Sequence, residues 1–403
     1  MHQAIEFIKN KGILGFALYD FANSAYILIF NAFLFPIFLR EHVFRGDPKS
    51  DFYWGLSLSI SIVIALLLSP FVGYIADRIS RKLLMSCIVA GVSGGILTLS
   101  LGDSSAPFYY LGVFVFTNSL YVISLTLYDS YLPHVGRSQD EMPTVSAFAW
   151  GLGYMGGVLC LGLVLLVQGG SADPSKEGFI ATTLFYTVFS AISLTLLPRQ
   201  TTQRNSVGLW KTARVFVTKN ILILLISFWL INEAIDIIIY FTSLYAKETL
   251  HLGTETIGAF LIITQILAFP GTWLIGNLAA KRGQGKILKI TLLLWILVVI
   301  WLVLSRTLTH FFLLALLTSL VIGSSQALMR SVFSSQFPKR VSGFSFGIYS
   351  IASRVTALFG PLIFGTISAV TGSQRIAMLA VIPFLLLGWF TFSRFQKSEP
   401  EQI

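Results

Sequence analysis

The 403-residue chain is short of charge. Asp, Glu, Lys and Arg make up 11% of it and hydrophobic side chains 55%, where an ordinary soluble protein carries about 25% charge. A soluble fold of this length could not keep so much apolar surface from water. Soluble enzymes, nucleic-acid binders and disordered scaffolds are therefore excluded. Cysteine is nearly missing: Cys87 and Cys160 each lie inside an apolar run, too few and too far apart for a disulfide framework or a metal site. Both read as small packing residues. There is no Asn-x-Ser/Thr acceptor, and no segment resembles a phosphate-binding loop, so ATP hydrolysis is not the expected energy source. No catalytic group, cofactor or metal is expected. The first apolar run, about 13–39, is too long for a cleaved signal and carries Asp20, Asn23 and Asn31.

What the chain does have is a series of apolar runs of about 20 residues, the length that spans a bilayer. They fall near 13–39, 53–76, 83–102, 107–129, 143–168, 178–197, 219–246, 255–280, 287–305, 310–333, 343–370 and 375–394. Only 198–218 is a long polar connection, and it is basic, with Arg199, Arg204, Lys211 and Arg214. The expected fold is an all-α membrane protein of twelve transmembrane helices in two six-helix pseudo-repeats, at 1–197 and 219–403, joined by a cytoplasmic linker at 198–218.

The net charge of +10 is explained by topology. With the N-terminus inside, 19 of the 28 Lys and Arg residues fall in inner segments and 7 in outer ones, leaving Arg330 and Arg354 within spans. Both termini are expected in the cytoplasm, the protein in a bacterial inner membrane, and nucleic acid is not needed as a partner.

Ionisable and amide side chains are costly inside a bilayer and mark pathways or buried pairs. The first span holds Asp20 and Asn23, the fourth Asn118 and Asp129, the seventh Asn232, Glu233 and Asp236. The tenth holds Gln326 and Arg330, the eleventh Arg354. The third, sixth, ninth and twelfth hold none in their interiors, so spans 1, 4, 7 and 10 should surround a wet cavity with 3, 6, 9 and 12 facing lipid. At ~1.5 Å per residue Glu233 and Arg354 lie near the midplane, and Asp20 roughly 10 Å from the cytoplasmic end. Asp20 with Asn23, and Asn232 with Asp236, each share a helix face. These residues read as a substrate and proton cavity, or alternatively as structural pairs such as Glu233 with Arg354.

Gly151, Gly153 and Gly156 spell G-x-G-x-x-G, and Gly91, Ser93 and Gly95 spell G-x-S-x-G. Neither has the strand context its chemistry needs. In apolar helices such glycines let backbones approach.

The connection between spans 2 and 3, Gly73-Tyr74-Ile75-Ala76-Asp77-Arg78-Ile79-Ser80-Arg81-Lys82, resembles the G-x-x-x-D-R-x-G-R-K signature of the major facilitator superfamily, with Ser80 for the glycine. Gly73, Asp77, Arg78 and Arg81 are expected to form a cytoplasmic latch in which the aspartate meets a helix N-terminus or a base. The equivalent loop, Gly276 to Lys286, has Ala280 in place of the aspartate, so any latch there should be weaker. Tyr19-Asp20-Phe21-Ala22-Asn23-Ser24-Ala25-Tyr26 resembles Y-D-W-A-N-S-A-Y of the autophagy-linked vacuolar amino-acid effluxers and their bacterial relatives. Gln265 to Gly271 is similar to their Q-x-x-A-F-P-G, Gln326 to Ser331 to Q-A-L-S-R-S, and Phe346 to Tyr349 to F-G-L-Y. Departures are Asn232-Glu233-Ala234 for N-D-G and Tyr128-Asp129 for Y-N.

The expected function is a secondary transporter of a small polar or zwitterionic solute working by alternating access, and the resemblance implies amino-acid efflux. Asp20, Glu233 and Asp236 suggest proton coupling, since desolvation raises carboxyl proton affinity, with facilitated diffusion as the alternative. Acids and arginines among amides, with Tyr26 and Trp150 as apolar faces, suit a zwitterion. A monomer is expected. The competing functions are a non-transporting receptor or assembly factor on the same fold, and an exporter of drug-like cations.

Overall fold

The computed structural model describes residues 2–45, 47, 49–101, 107–136, 138–169, 176–199, 213 and 218–395. Of the expected linker, 200–212 and 214–217 lie outside the described residues. A short helix, His2–Lys9, precedes twelve spanning elements. The first six are α1 (Lys11–Val43), α2 (Lys49–Ala76), α3 (Arg81–Leu101), α4 (Pro107–Val135), α5 (Met142–Val167) and α6 (Lys176–Leu196). The second six are α7 (Lys219–Glu248), α8 (Thr254–Arg282), α9 (Gln284–Leu304), α10 (Leu308–Ser334), α11 and α12 (Gln374–Arg394). Eleven helices among the described residues are long and apolar enough to cross a membrane. The remaining span, α11, is divided at Val355 into α11a (Ser342–Arg354) and α11b (Thr356–Thr371).

The ends of these helices are set by local chemistry. Asn10 caps α1 by accepting from the Gly12 and Ile13 amides at 3.0 and 3.3 Å, satisfying donors that a helix start leaves open. Thr218 caps α7, Thr307 caps α10 and Ser373 caps α12 in the same way. Gly283, at φ 92°, turns the chain between α8 and α9 where a side chain would be strained. Within α1, Ala25–Leu34 and Leu39–Val43 widen into π-helical turns.

The chain forms two compact units. One comprises Met1–Gly136, Leu152–Arg204 and Ser342–Gly347, the other Arg137–Gly151, Asn205–Val341 and Ile348–Ile403. Relative to halves drawn at 1–197 and 219–403, the units exchange two short segments: the start of α5 and the start of α11. In the first unit Ser342–Gly347 lies on α2, where a Cβ at Gly73 would run into the Gly343 carbonyl and one at Gly347 would meet Pro70. In the second, the start of α5 lies on α8: a Cβ at Gly276 would strike Ala147, and one at Gly151 would meet Phe269. Both crossings use small residues because apolar burial gives no drive between helices in lipid and close van der Waals contact must supply it.

Burial follows the expected ranking only in part. Helices α1, α4, α7 and α10 are the most buried, with 61–67% of their apolar windows inside, as polar residues every third span implied. Of the helices expected to face lipid, α12 buries 33% of its apolar window and α3, α6 and α9 bury 44–50%, against 28–33% for α2, α5 and α8. Polar and small side chains draw α3 and α6 inward. Ser93 of α3 shares a 2.7 Å hydrogen bond with Thr187 of α6, Ser193 of α6 donates to the Gly15 carbonyl of α1 at 2.6 Å, and Gly95 of α3 sits against Thr117 of α4.

Candidate functional site

The residues singled out in the sequence fall into two clusters, one in each unit, with Asp77 and its neighbours as a third group. In the first unit, Asp20 is half-buried and its Oδ2 accepts from the Tyr128 hydroxyl at 2.7 Å. The Tyr128 ring stacks on Phe16 at 4.3 Å and on Tyr19 at 5.0 Å, so its hydroxyl is held in place by packing. One turn along α1, Asn23 is buried with neither end of its amide hydrogen-bonded. Further along, the Tyr26 hydroxyl donates to Asn118 Oδ1 at 3.3 Å, and Asn118 Nδ2 donates to Ser61 Oγ at 2.7 Å. Tyr26 also stacks on Tyr121 at 3.9 Å. Asn118 is thus tied into the α1–α2–α4 packing. Both ends of the Asn23 amide are left with their hydrogen-bonding capacity open, as is the Tyr19 hydroxyl, which is costly for a buried amide.

In the second unit, Glu233 of α7 is fully buried and neither carboxyl oxygen has a hydrogen-bond partner. Its pairing with Arg354, the structural alternative to a functional role, is not formed. Glu233 Oε1 lies 3.3 Å from where a Cβ on Gly360 of α11b would be, so the carboxyl packs closely on that glycine. One turn on, Asp236 Oδ2 accepts from the Thr356 hydroxyl at 2.7 Å. Thr356 immediately follows the break at Val355, and Arg354 immediately precedes it, its Nε donating to Ser350 Oγ at 3.1 Å. The break therefore sets Arg354 and Thr356 at the end of one helical piece and the start of the next, with Asp236 anchored to the second. Asn232 Nδ2 donates back to the Phe228 carbonyl at 2.9 Å and lies 4.0 Å from Met329 Sδ of α10.

Arg330 joins α5 more than it joins that cluster. It is 1% exposed, its Nε donates to Ser146 Oγ at 2.9 Å and its Nη2 to the Ser146 carbonyl at 3.0 Å. The guanidinium also lies 5.1 Å from the Trp150 ring centroid, within cation–π range. Ser146 Oγ in turn donates to the Ala327 carbonyl at 2.8 Å. Gln326 is half-buried on the same helix.

The loop after α2 is the best-defined group. Asp77 and Arg81 form a 2.8 Å ion pair with side chains 3% and 2% exposed. Asp77 also accepts from the Gly343 and Phe344 amides at 2.8 and 2.9 Å, two of the open donors at the N-terminus of α11a. Arg81 donates to the Ser130 carbonyl at 2.7 Å and to Ser342 Oγ at 3.1 Å, and Ser342 Oγ is 3.2 Å from His134 Nε2. Burial pushes the Asp77 carboxyl above its ordinary value, while Arg81 and the two amides pull it the other way. Gly73 brings the two backbones together. Arg78 is folded over the Tyr74 ring at 3.4 Å, and its Nη1 donates to the Tyr74 carbonyl at 3.2 Å. At the other crossing Thr144 Oγ1 reaches the Gly276 carbonyl only at 3.4 Å.

Several partners could not be read from the sequence. Tyr128 carried a signal, since it adjoins the intramembrane acid Asp129. Ser61, Ser146, Thr356 and Ser342 carried none, because serine and threonine are common in apolar helices and their roles depend on which helix faces them.

Apolar helices of spanning length in two compact units are the architecture of a multi-pass membrane protein, and the relatives below make it a transporter of the major facilitator superfamily. Solved structures share the fold. A bacterial homologue of the iron transporter ferroportin, in an outward-facing state, superposes with a TM-score of 0.72 at 15% identity, covering 96% of this chain and 99% of that one. The proton:xylose symporter XylE gives 0.70 at 13% identity over 98% and 96%. The chain belongs to the family described as Vacuole effluxer Atg22 like, whose model matches residues 52–402. Among its relatives, the uncharacterised MFS-type transporter YxiO of Bacillus subtilis is 25% identical over 92% of this chain and 91% of its own length. Autophagy-related protein 22 of Eremothecium gossypii is 22% identical over 94% and 89%. The multidrug resistance protein MdtG of a Rahnella strain is 22% identical over 89% and 87%.

Proposed function

We infer that the chain is a proton-coupled secondary transporter of a small zwitterionic solute, amino acids being the first class to test. The observation that carries this reading is Glu233: a fully buried carboxyl with no hydrogen-bond partner. An ionised carboxylate left alone in such a place is very costly, so the group must carry a proton or receive a cation. A transporter that binds a proton or an ammonium group at one stage of its cycle and releases it at another has a use for such a site. A receptor or assembly factor has none.

Asp20, held by Tyr128, and Asp236, held by Thr356, are the fixed acids of the two clusters. Asn23 offers an open amide for a solute's polar groups, and Arg354 at the helix break offers a cation for its carboxylate. Arg330 serves to fix α5 against α10 through Ser146. Asp77 and Arg81 hold α2 to the start of α11 as a gate, on the cytoplasmic side if both termini are cytoplasmic as the lysine and arginine distribution implies. Export of drug-like cations is the second reading, favoured by the relationship to MdtG and by the same unpartnered acid.

Purified protein in liposomes with labelled neutral amino acids, with and without a pH gradient, tests the proposal. Gradient-driven accumulation should appear with the unmodified chain and vanish in Glu233→Gln, while counterflow exchange of the solute continues. Equal accumulation by both proteins would remove Glu233 from coupling. Movement of a lipophilic cation, and of no amino acid, would favour the second reading.

A further inference from the structure

Beyond Arg81, the contacts around Asp77 reach a histidine. His134 is half-buried in the last turn of α4, Leu132–Val135, and its Nε2 is 3.2 Å from Ser342 Oγ. The same oxygen accepts from Arg81 Nη2 at 3.1 Å. Ser342 is buried and opens α11a, followed by the two amides that donate to Asp77. One serine oxygen therefore stands between a guanidinium and an imidazole at the point where α11a is held. A guanidinium only donates, so Arg81 occupies a lone pair of that oxygen. The hydroxyl's own proton is left for His134, and Nε2 can accept it only while carrying no proton itself. A protonated His134 donates from both nitrogens. The serine oxygen then faces two donors, its proton loses that acceptor, and two cations each reach within 3.2 Å of one atom.

We propose that His134 is a proton-operated release for this latch: neutral, it completes the hydrogen-bond chain that holds α11a to α2, and protonated, it breaks the chain and frees α11a. The inference rests on reading Asp77 and Arg81 as a gate, and adds what works the gate, the acidity of the compartment it faces. The acids on the surrounding elements are Asp77, which already accepts from Arg81 and two amides, and Asp129, buried farther back on α4. Tyr131 of α4 lies beside Arg81, and Arg78 lies on Tyr74. Lys11 of α1, where Val135 packs near Gly12, is exposed, as are Lys339 and Arg340 ahead of α11a. Imidazole is the side chain that ordinarily changes charge between about pH 5 and 8. Since the closed latch and the proton oppose each other, acid should open it and a return to neutral pH should close it.

Labelling of Ser345→Cys, buried on α11a, with a water-soluble maleimide tests this in the full chain lacking Cys87 and Cys160. Rates are taken at about pH 7.5 and about pH 5.5, on either side of the ordinary imidazole midpoint. Each is divided by the rate of the same chain unfolded in dodecyl sulfate at that pH, which removes the thiol's own pH dependence. With His134 in place the ratio should rise about tenfold at the lower pH, as repulsion between two neighbouring cations implies. His134→Gln carries a neutral amide at every pH and should stay slow at both; His134→Asn should do the same, so the result does not hang on the folding of one variant. Asp77→Ala should label fast at both. If it does not, the gate reading fails and the proposal with it. If Asp77→Ala labels fast but acid speeds His134→Gln as much as the unmodified histidine, the gate stands and the proposal is overturned, the proton then acting at Asp77 or elsewhere. Absence of any acid response with His134 in place would overturn it equally.

Discussion

Removing the Asp77 carboxylate should free the start of α11 from α2. In Asp77→Ala, Arg81 loses its 2.8 Å partner while remaining 2% exposed, and the Gly343 and Phe344 amides lose their acceptor. Stranding one member of a buried ion pair costs about 3–5 kcal/mol. Arg81 keeps the Ser130 carbonyl and Ser342 Oγ as acceptors, so the low end, about 3 kcal/mol, is the better figure. At about 1.4 kcal/mol per factor of ten, the fraction of time that α11a stands away from α2 should rise by roughly a hundredfold. Ser345 is 1% exposed on α11a. In a background lacking Cys87 and Cys160, Ser345→Cys should therefore label slowly with a water-soluble maleimide, and about a hundredfold faster once Asp77→Ala is added. Asp77→Asn keeps the shape and should give an intermediate rate. If Asp77→Ala lowers thermal stability yet leaves the labelling rate within twofold, the contact only steadies α2 and no gate exists there.

Other expectations follow from single contacts. Gly343→Ala places a methyl against the Gly73 carbonyl and Asp77 Oδ1 and should cost about 1–3 kcal/mol of stability, read as a lower midpoint of thermal unfolding in detergent. Arg330→Lys keeps the charge but cannot reproduce the Nε and Nη2 bonds to Ser146; its expression in the membrane should fall although no solute contact is lost. Thr356→Val removes the 2.7 Å bond to Asp236, worth about 1.5–3 kcal/mol for a charged acceptor, and should impair solute accumulation more than it impairs stability. Tyr128→Phe does the same to Asp20 in the other cluster, and the two defects should add, because the residues share no partner.

How much of this was legible beforehand depends on the range of the interaction. The spans follow from apolar run length alone, and burial of α1, α4, α7 and α10 follows from where Asp20, Asn118, Glu233 and Arg330 fall. Asp77 was expected to meet a helix N-terminus or a base, and it meets both. That the helix would be α11a was not readable, because Gly343 and Phe344 lie 266 and 267 residues away. Arg330 was grouped with the acids on the ground that an intramembrane arginine needs an acceptor. It donates to the hydroxyl and carbonyl of Ser146, a residue that no charge pattern marks. The break at Val355 was also hidden: no proline or glycine occupies that position, so local propensity predicts an unbroken helix.

The π-helical stretch in α1, Ala25–Leu34, carries more residues per turn than an α-helix, as an insertion into a regular helix would. In the gene, it is a place where one codon can be lost and the backbone can answer by tightening to α geometry. The side chains beyond would then keep nearly the face they have, because the lost residue is the one the wide turns had taken up. Phe35, which stacks on Phe114 at 4.4 Å, would stay by its partner, as Asp20 and Asn23 on the other side of the stretch would stay where they are. The same deletion in the regular turns of Lys11–Ser24 would rotate everything on one side of it by about 100°, one α-helical residue step, so a deletion between codons 25 and 34 should be the better tolerated of the two.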